Sequence, residues 1–134
     1  MDNKFLNELK GSTKHLVDFI TNGHNETDIV YYEMGSTRIK ATGIYKTDNI
    51  AIAITEIPAG SRFPIHKHDG TKEYFMIESG ELTITFKDKH DVIVKKGECF
   101  IIEANDEHGV YTDIDTLCVM ITMPADRGFP NARR

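Results

Sequence analysis

The period of the apolar positions changes near residue 29. Between Asn3 and Ile20, the residues Phe5, Leu6, Leu9, Leu16, Phe19 and Ile20 recur at spacings of one, three, four and seven, as on a helix with one apolar stripe. Gly11 interrupts the stripe, Ser12 is a suitable N-cap and Asn22-Gly23 a suitable stop, so residues 1–23 read as two short helices or one bent one. From 29 to 123 the period is two, and the chain reads as successive strands. Ile50, Ile52 and Ile54 share one strand face; so do Leu82, Ile84 and Phe86, then Val92 and Val94, then Leu117, Val119 and Ile121. Turn-forming residues separate these runs at Asp48-Asn49, Pro58-Ala59-Gly60, Asp69-Gly70, Ser79-Gly80, Lys87 to His90, Lys96-Gly97 and Asn105-Asp106. A turn about every ten residues predicts a small antiparallel sandwich or barrel. Residues 124–134 mix Pro, Gly, Asn and Arg without a period and read as a tail or covering strap. The expected organisation is an all-β domain over 29–123, with a short helical addition before it.

Composition narrows the function classes. A chain of 134 residues is the size of one domain. Sixteen basic residues against twenty-one acidic ones give a net charge of -5, which repels a phosphate backbone and argues against a nucleic-acid partner. The longest apolar runs, Ile50 to Ile54 and Leu117 to Ile121, fall far short of the roughly 20 residues of a membrane-spanning helix. Asp2, Lys4, Glu8, Lys10, Lys14 and Asp18 are spread evenly through the first twenty residues, leaving no apolar core for a secretory signal, so a cytoplasmic location is expected. Cys99 and Cys118 each lie in an apolar strand-like run and are expected to be buried thiols.

The histidines carry the chemistry. His66 and His68 are one residue apart, Glu73 follows five residues later, and His108 arrives after another hairpin. On an extended chain residues i and i+2 point the same way, so both imidazoles reach one point while Lys67 turns outward. The polar turn Asp69 to Lys72 lets Glu73 fold back beside them. Neutral imidazoles with one carboxylate suit divalent iron, manganese, nickel, copper or zinc, whereas calcium and magnesium prefer oxygen throughout.

The glycines extend the pattern: Gly60, five residues, His66, one residue, His68, four residues, Glu73, six residues, Gly80. In this the sequence resembles the first motif of the cupin superfamily. The second cupin motif is matched at Gly97 and His108, while Glu103, Asn105 and Thr112 replace its proline, second glycine and terminal asparagine. Asn105 is among the residues that best tolerate a positive φ in place of glycine. The resemblance covers about residues 35 to 123. It implies a double-stranded β-helix, or jelly roll, whose metal is held by His66, His68, Glu73 and His108 with two positions open to water, substrate or oxygen.

Other residues carry weaker expectations. Arg62 shares the parity of the two histidines and is either a clamp for a ligand anion or a solvated arginine. Tyr45 either lines the pocket or packs in its strand, and Phe75 and Ile77 share the parity of Glu73 on the cavity wall. Glu103 is either a surface residue or a base near the site. His15, His24 and His90 are read as surface residues. Tyr74 and Met76 fall on the opposite face, where a second subunit would meet them in a homodimer. The resulting expectation is a metalloenzyme, dioxygenase-like or an isomerase or lyase, acting on a small organic molecule. The alternative is a non-catalytic cupin that binds or senses a small molecule.

Overall fold

The computed structural model of the protein describes residues 29–125. The helices expected within 1–23 and the tail beyond residue 125 lie outside this range, as do His15 and His24. The described chain is ten strands: β1 (Ile29–Met34), β2 (Thr37–Lys46), β3 (Ala51–Ile57), β4 (Arg62–His66), β5 (Lys72–Ser79), β6 (Glu81–Phe86), β7 (Val92–Lys95), β8 (Cys99–Ile102), β9 (His108–Tyr111) and β10 (Thr116–Met123). One sheet has the order β1-β2-β3-β10-β5-β8 and the other β4-β9-β6-β7. Every pairing is antiparallel. From β3 onward the chain passes between the two sheets in the manner of a jelly roll, which hides most strand edges in one closed sandwich. The β1–β2 hairpin extends the larger sheet. No described helix is long and apolar enough to cross a membrane.

The alternation of the strands builds the core between the sheets. Phe75, Ile77 and Cys118 of the larger sheet face Leu82, Ile84, Val94 and Val110 of the smaller one. Leu82 and Ile84 are fully buried, and each such side chain contributes about 1.5–3 kcal/mol through its removal from water. The other face of the larger sheet is apolar as well. Ile44, Ile50, Ile52, Val119 and Ile121 form a second buried cluster there, with Tyr45, Tyr74 and Met76 packed against it. In β3 Ile52 and Ile54 therefore point outward, while the small residues Ala51 and Ala53 point inward with Thr55 and Ile57. Small inward side chains leave room between the sheets.

Each expected turn separates two strands, and the structure adds two more, at Gly35-Ser36 and at residues 112–115. One expectation is corrected: Cys99 is exposed, whereas Cys118 is buried. Cys99 pairs with Met76 on the edge strand β8 and so takes the outward parity. An apolar run there indicated a strand without indicating which of its residues faced the core.

Gly80 closes the β5–β6 turn with φ of +80°, and a Cβ there would sit 2.5 Å from the carbonyl oxygen of Asp115 and 2.6 Å from Thr116 Oγ1. Thr116 Oγ1 is held in the Thr112–Thr116 hydrogen-bond cluster on the Glu81 carbonyl, and the Asp115 carbonyl is backbone next to it. Gly80→Ala is expected to cost about 2–4 kcal/mol in urea unfolding. Gly70 has a similar φ of +73° but open space around it, so Gly70→Ala should cost only about 1–2 kcal/mol. Equal losses at the two positions would contradict the packing argument.

Candidate metal centre

The site begins with an irregularity in β4. Phe63 pairs with Val110 and His66 with His108, so three steps on β4 oppose two on β9. The extra residue is a β-bulge, which reverses the alternation. Pro64 sits within it on an edge strand, where its missing N–H costs no ladder bond. As a result Phe63, and not Arg62, lies on the same side as His66. Gly109, next to His108, lets the strands approach: a Cβ there would stand 2.6 Å from the Phe63 carbonyl oxygen.

Three histidines form a cluster able to hold a metal ion, with the ligand atoms of His66, His68 and His108 all within 4.8 Å of one another. His66 Nδ1 lies 2.8 Å from the Pro64 carbonyl oxygen and His108 Nδ1 2.8 Å from that of Asp106. A carbonyl only accepts, so each Nδ1 carries the proton and each Nε2 is left with its lone pair facing the cluster. His66 Nε2 and His68 Nε2 are 3.1 Å apart. His108 is almost wholly buried, and its Nε2 has no hydrogen-bond partner among the described residues.

Glu73 reaches the cluster from β5, the strand between β10 and β8. Its carboxylate is buried, and Oε2 stands 2.9 Å from His68 Nε2. That contact lacks the alignment of a hydrogen bond, and Oε2 is otherwise without a partner among the described residues. A buried carboxylate oxygen and a buried imidazole nitrogen left unpaired are costly in an apolar surrounding. A divalent cation between them would satisfy both, and nitrogen and carboxylate donors together fit a transition metal.

The loops that carry the ligands are tied to each other. Asn105 donates its N–H to the His68 carbonyl at 3.1 Å, and its Oδ1 accepts from the Gly70 N–H at 3.2 Å. Its φ of +68° is the left-handed conformation expected for it. Sequence reasoning anticipated the conformation but not the stitch, because two loops far apart in the chain show no shared pattern.

A cavity of about 230 Å³ adjoins the histidines and is walled by Ile39, Ala41, Ile57, Phe63, Phe75, Val110 and Met120, with the hydroxyl-bearing Thr55 and Tyr32 completing the lining. Phe75 is on the wall. Ile77 is buried in the core beyond the cavity. Arg62 is exposed, with its guanidinium over the Tyr111 ring at 4.6 Å, which corrects its expected place on the pocket. Tyr45 is likewise displaced: the register of β2 shifts between Gly43 and Tyr45, and Tyr45 pairs with Ile52 on the outer cluster. Lys67 is exposed, within 3.8 Å of Asp69. Glu103 is an exposed residue 3.4 Å from Lys72, and His90 is exposed.

The family model of the cupin domain matches residues 53–124. Together with the jelly roll and the histidine cluster, this establishes that the chain belongs to the cupin domain family. Among solved structures, an RmlC-like cupin from Shewanella frigidimarina NCIMB 400 is similar with a TM-score of 0.66 at 16% identity, covering 76% of this chain and 87% of that one. A predicted oxalate decarboxylase from Thermotoga maritima gives 0.63 at 18% identity, over 75% and 95%. KdgF from Halomonas sp. gives 0.62 at 13% identity, over 76% and 94%. At these identities the likeness is one of fold. No curated protein sequence matches the chain.

Burial holds the His66 pKa below its ordinary value of 6.5, and the neighbouring His108 and His68 act in the same direction against the hydrogen bond to Pro64. A lowered folded-state pKa means that the unfolded chain takes up the proton first. The contribution of neutral His66 is therefore complete above pH 6.5 and is lost as pH falls below it. Urea midpoints of metal-free protein are expected to fall from pH 7.5 to about pH 5.5, more steeply than those of His66→Ala. Parallel curves would contradict this assignment.

Proposed function

We propose that the protein is a metal-dependent cupin in which His66, His68, His108 and Glu73 hold one divalent transition metal, and which acts on a small organic molecule bound in the adjoining cavity. The observation that carries this reading is the buried His108 Nε2, without a hydrogen-bond partner among the described residues, beside two further imidazoles and the buried Glu73 carboxylate. Iron, manganese, nickel, copper and zinc all accept this donor set. A metal bound there supplies Lewis-acid activation of a ligand oxygen and, in its redox-active forms, electron transfer.

The protein's own part is positioning and exclusion. The Pro64 and Asp106 carbonyls fix the tautomers of His66 and His108, so these rings need no reorientation on binding. Phe63, Phe75 and Val110 keep water from the ligand side, which strengthens polar interactions at the site. Dioxygenase-like chemistry and isomerase or lyase chemistry share this arrangement and differ in oxygen demand, so oxygen uptake during turnover separates them. The reading includes a homodimer through the outer face of the larger sheet, where Tyr74 and Met76 pack on the second apolar cluster.

Calorimetric titration of metal-free protein with Ni(II) or Zn(II) is expected to give one site per chain. Glu73→Gln keeps the shape of the side chain and removes its charge. It should weaken binding by at least the roughly 10- to 100-fold that loss of an outer-shell partner costs, and His108→Ala should abolish it. Unchanged affinity in Glu73→Gln would remove the carboxylate from the ligand set. Absence of binding by the wild type would overturn the reading.

A further inference from the structure

The chemistry of the cavity wall restricts what the site can hold. Beside the three histidines and Glu73, the described wall residues are aliphatic and aromatic side chains, with Thr55 and Tyr32 as the neutral polar ones. No lysine, arginine, asparagine or glutamine is among them. Thr55 Oγ1 is buried without a partner among the described residues, and a single hydroxyl cannot serve the several hydroxyls of a sugar. A sugar would leave several hydroxyls without hydrogen bonds against such a surface, and each would forfeit its hydration.

Charge points the same way. A divalent cation less the charge of Glu73 leaves one positive charge, which a single anionic head group neutralises. A second carboxylate farther along the cavity would meet no cation among the described wall residues and would be buried unpaired. Small residues make the space for an apolar body: Ala41 lines the cavity on the β2 side, and Phe75 and Met120 face it from the neighbouring strands β5 and β10.

We infer that the ligand of this site is a monoanionic small molecule with an apolar body, such as a medium-chain or aryl carboxylate, and is neither a sugar nor a dicarboxylate. This rests on the metal reading for its head group and on the cavity wall for its body.

The test is calorimetry of Ni(II)-loaded protein with butanoate, hexanoate and octanoate, with suberate and gluconate as polar counterparts. Affinity is expected to tighten by about fourfold for each methylene buried until the cavity is filled. Suberate and gluconate should bind at least about tenfold more weakly than octanoate. Ala41→Leu, which occupies part of the cavity, should weaken octanoate more than butanoate. Should that variant not fold, the wild-type series decides alone. Affinity that does not depend on chain length in metal-loaded protein, or suberate or gluconate binding as tightly as octanoate, would overturn the inference while leaving the metal site standing. The same chain-length dependence in protein that takes up no Ni(II) would support the apolar ligand and overturn the metal reading instead.

Discussion

Three imidazoles and one carboxylate crowd a single point between two sheets, and their electrostatics organise everything around them. His66 Nε2 and His68 Nε2 stand 3.1 Å apart, His108 Nε2 is buried without a hydrogen-bond partner among the described residues, and buried Glu73 Oε2 lies 2.9 Å from His68 Nε2. Two imidazole lone pairs at that distance require a proton or a cation between them. In the metal-free protein a neutral His68 can donate its Nε2–H to His66 Nε2, whose own proton is on Nδ1, without adding charge. A divalent cation held by the three histidines and Glu73 would satisfy these donors together, so that donors crowded in the metal-free protein would become complementary to the ion.

The fold delivers these groups through local departures from regularity. The bulge in β4 turns Phe63 and His66 to the same side, Gly109 lets β9 come close enough for His108 to join them, and Asn105 ties the loop after His68 to the loop before His108. Regular elements do the rest. The register of β5 against β10 and β8 buries Glu73. The inward alanines of β2 and β3 stand where larger side chains would otherwise fill the space between the sheets.

Much of this was legible in the sequence, for identifiable physical reasons. Period-two alternation and turn residues set out the strands, since a half-buried strand and a tight turn each demand particular side chains. His66, His68 and His108 were legible because ligand spacing is a consequence of strand geometry. Arg62 shares the parity of the histidines in the sequence yet lies outside the cavity, because the bulge in β4 inserts one residue, and one residue reverses a strand's faces; Tyr45, beside a register shift in β2, packs on the outer cluster. Alternation likewise grouped Ile50, Ile52 and Ile54 without revealing that this group faces away from the cavity. Both faces of the sheet are buried, and hydrophobicity alone does not distinguish them.

The most direct test is a crystal structure of protein incubated with Ni(II) or Zn(II), with diffraction recorded on either side of the metal's absorption edge. One anomalous peak is expected at the meeting point of His66, His68 and His108, about 2.0–2.2 Å from their Nε2 atoms and from a Glu73 oxygen. A site without a peak, with the three histidines hydrogen-bonded to one another or to water, would contradict the account.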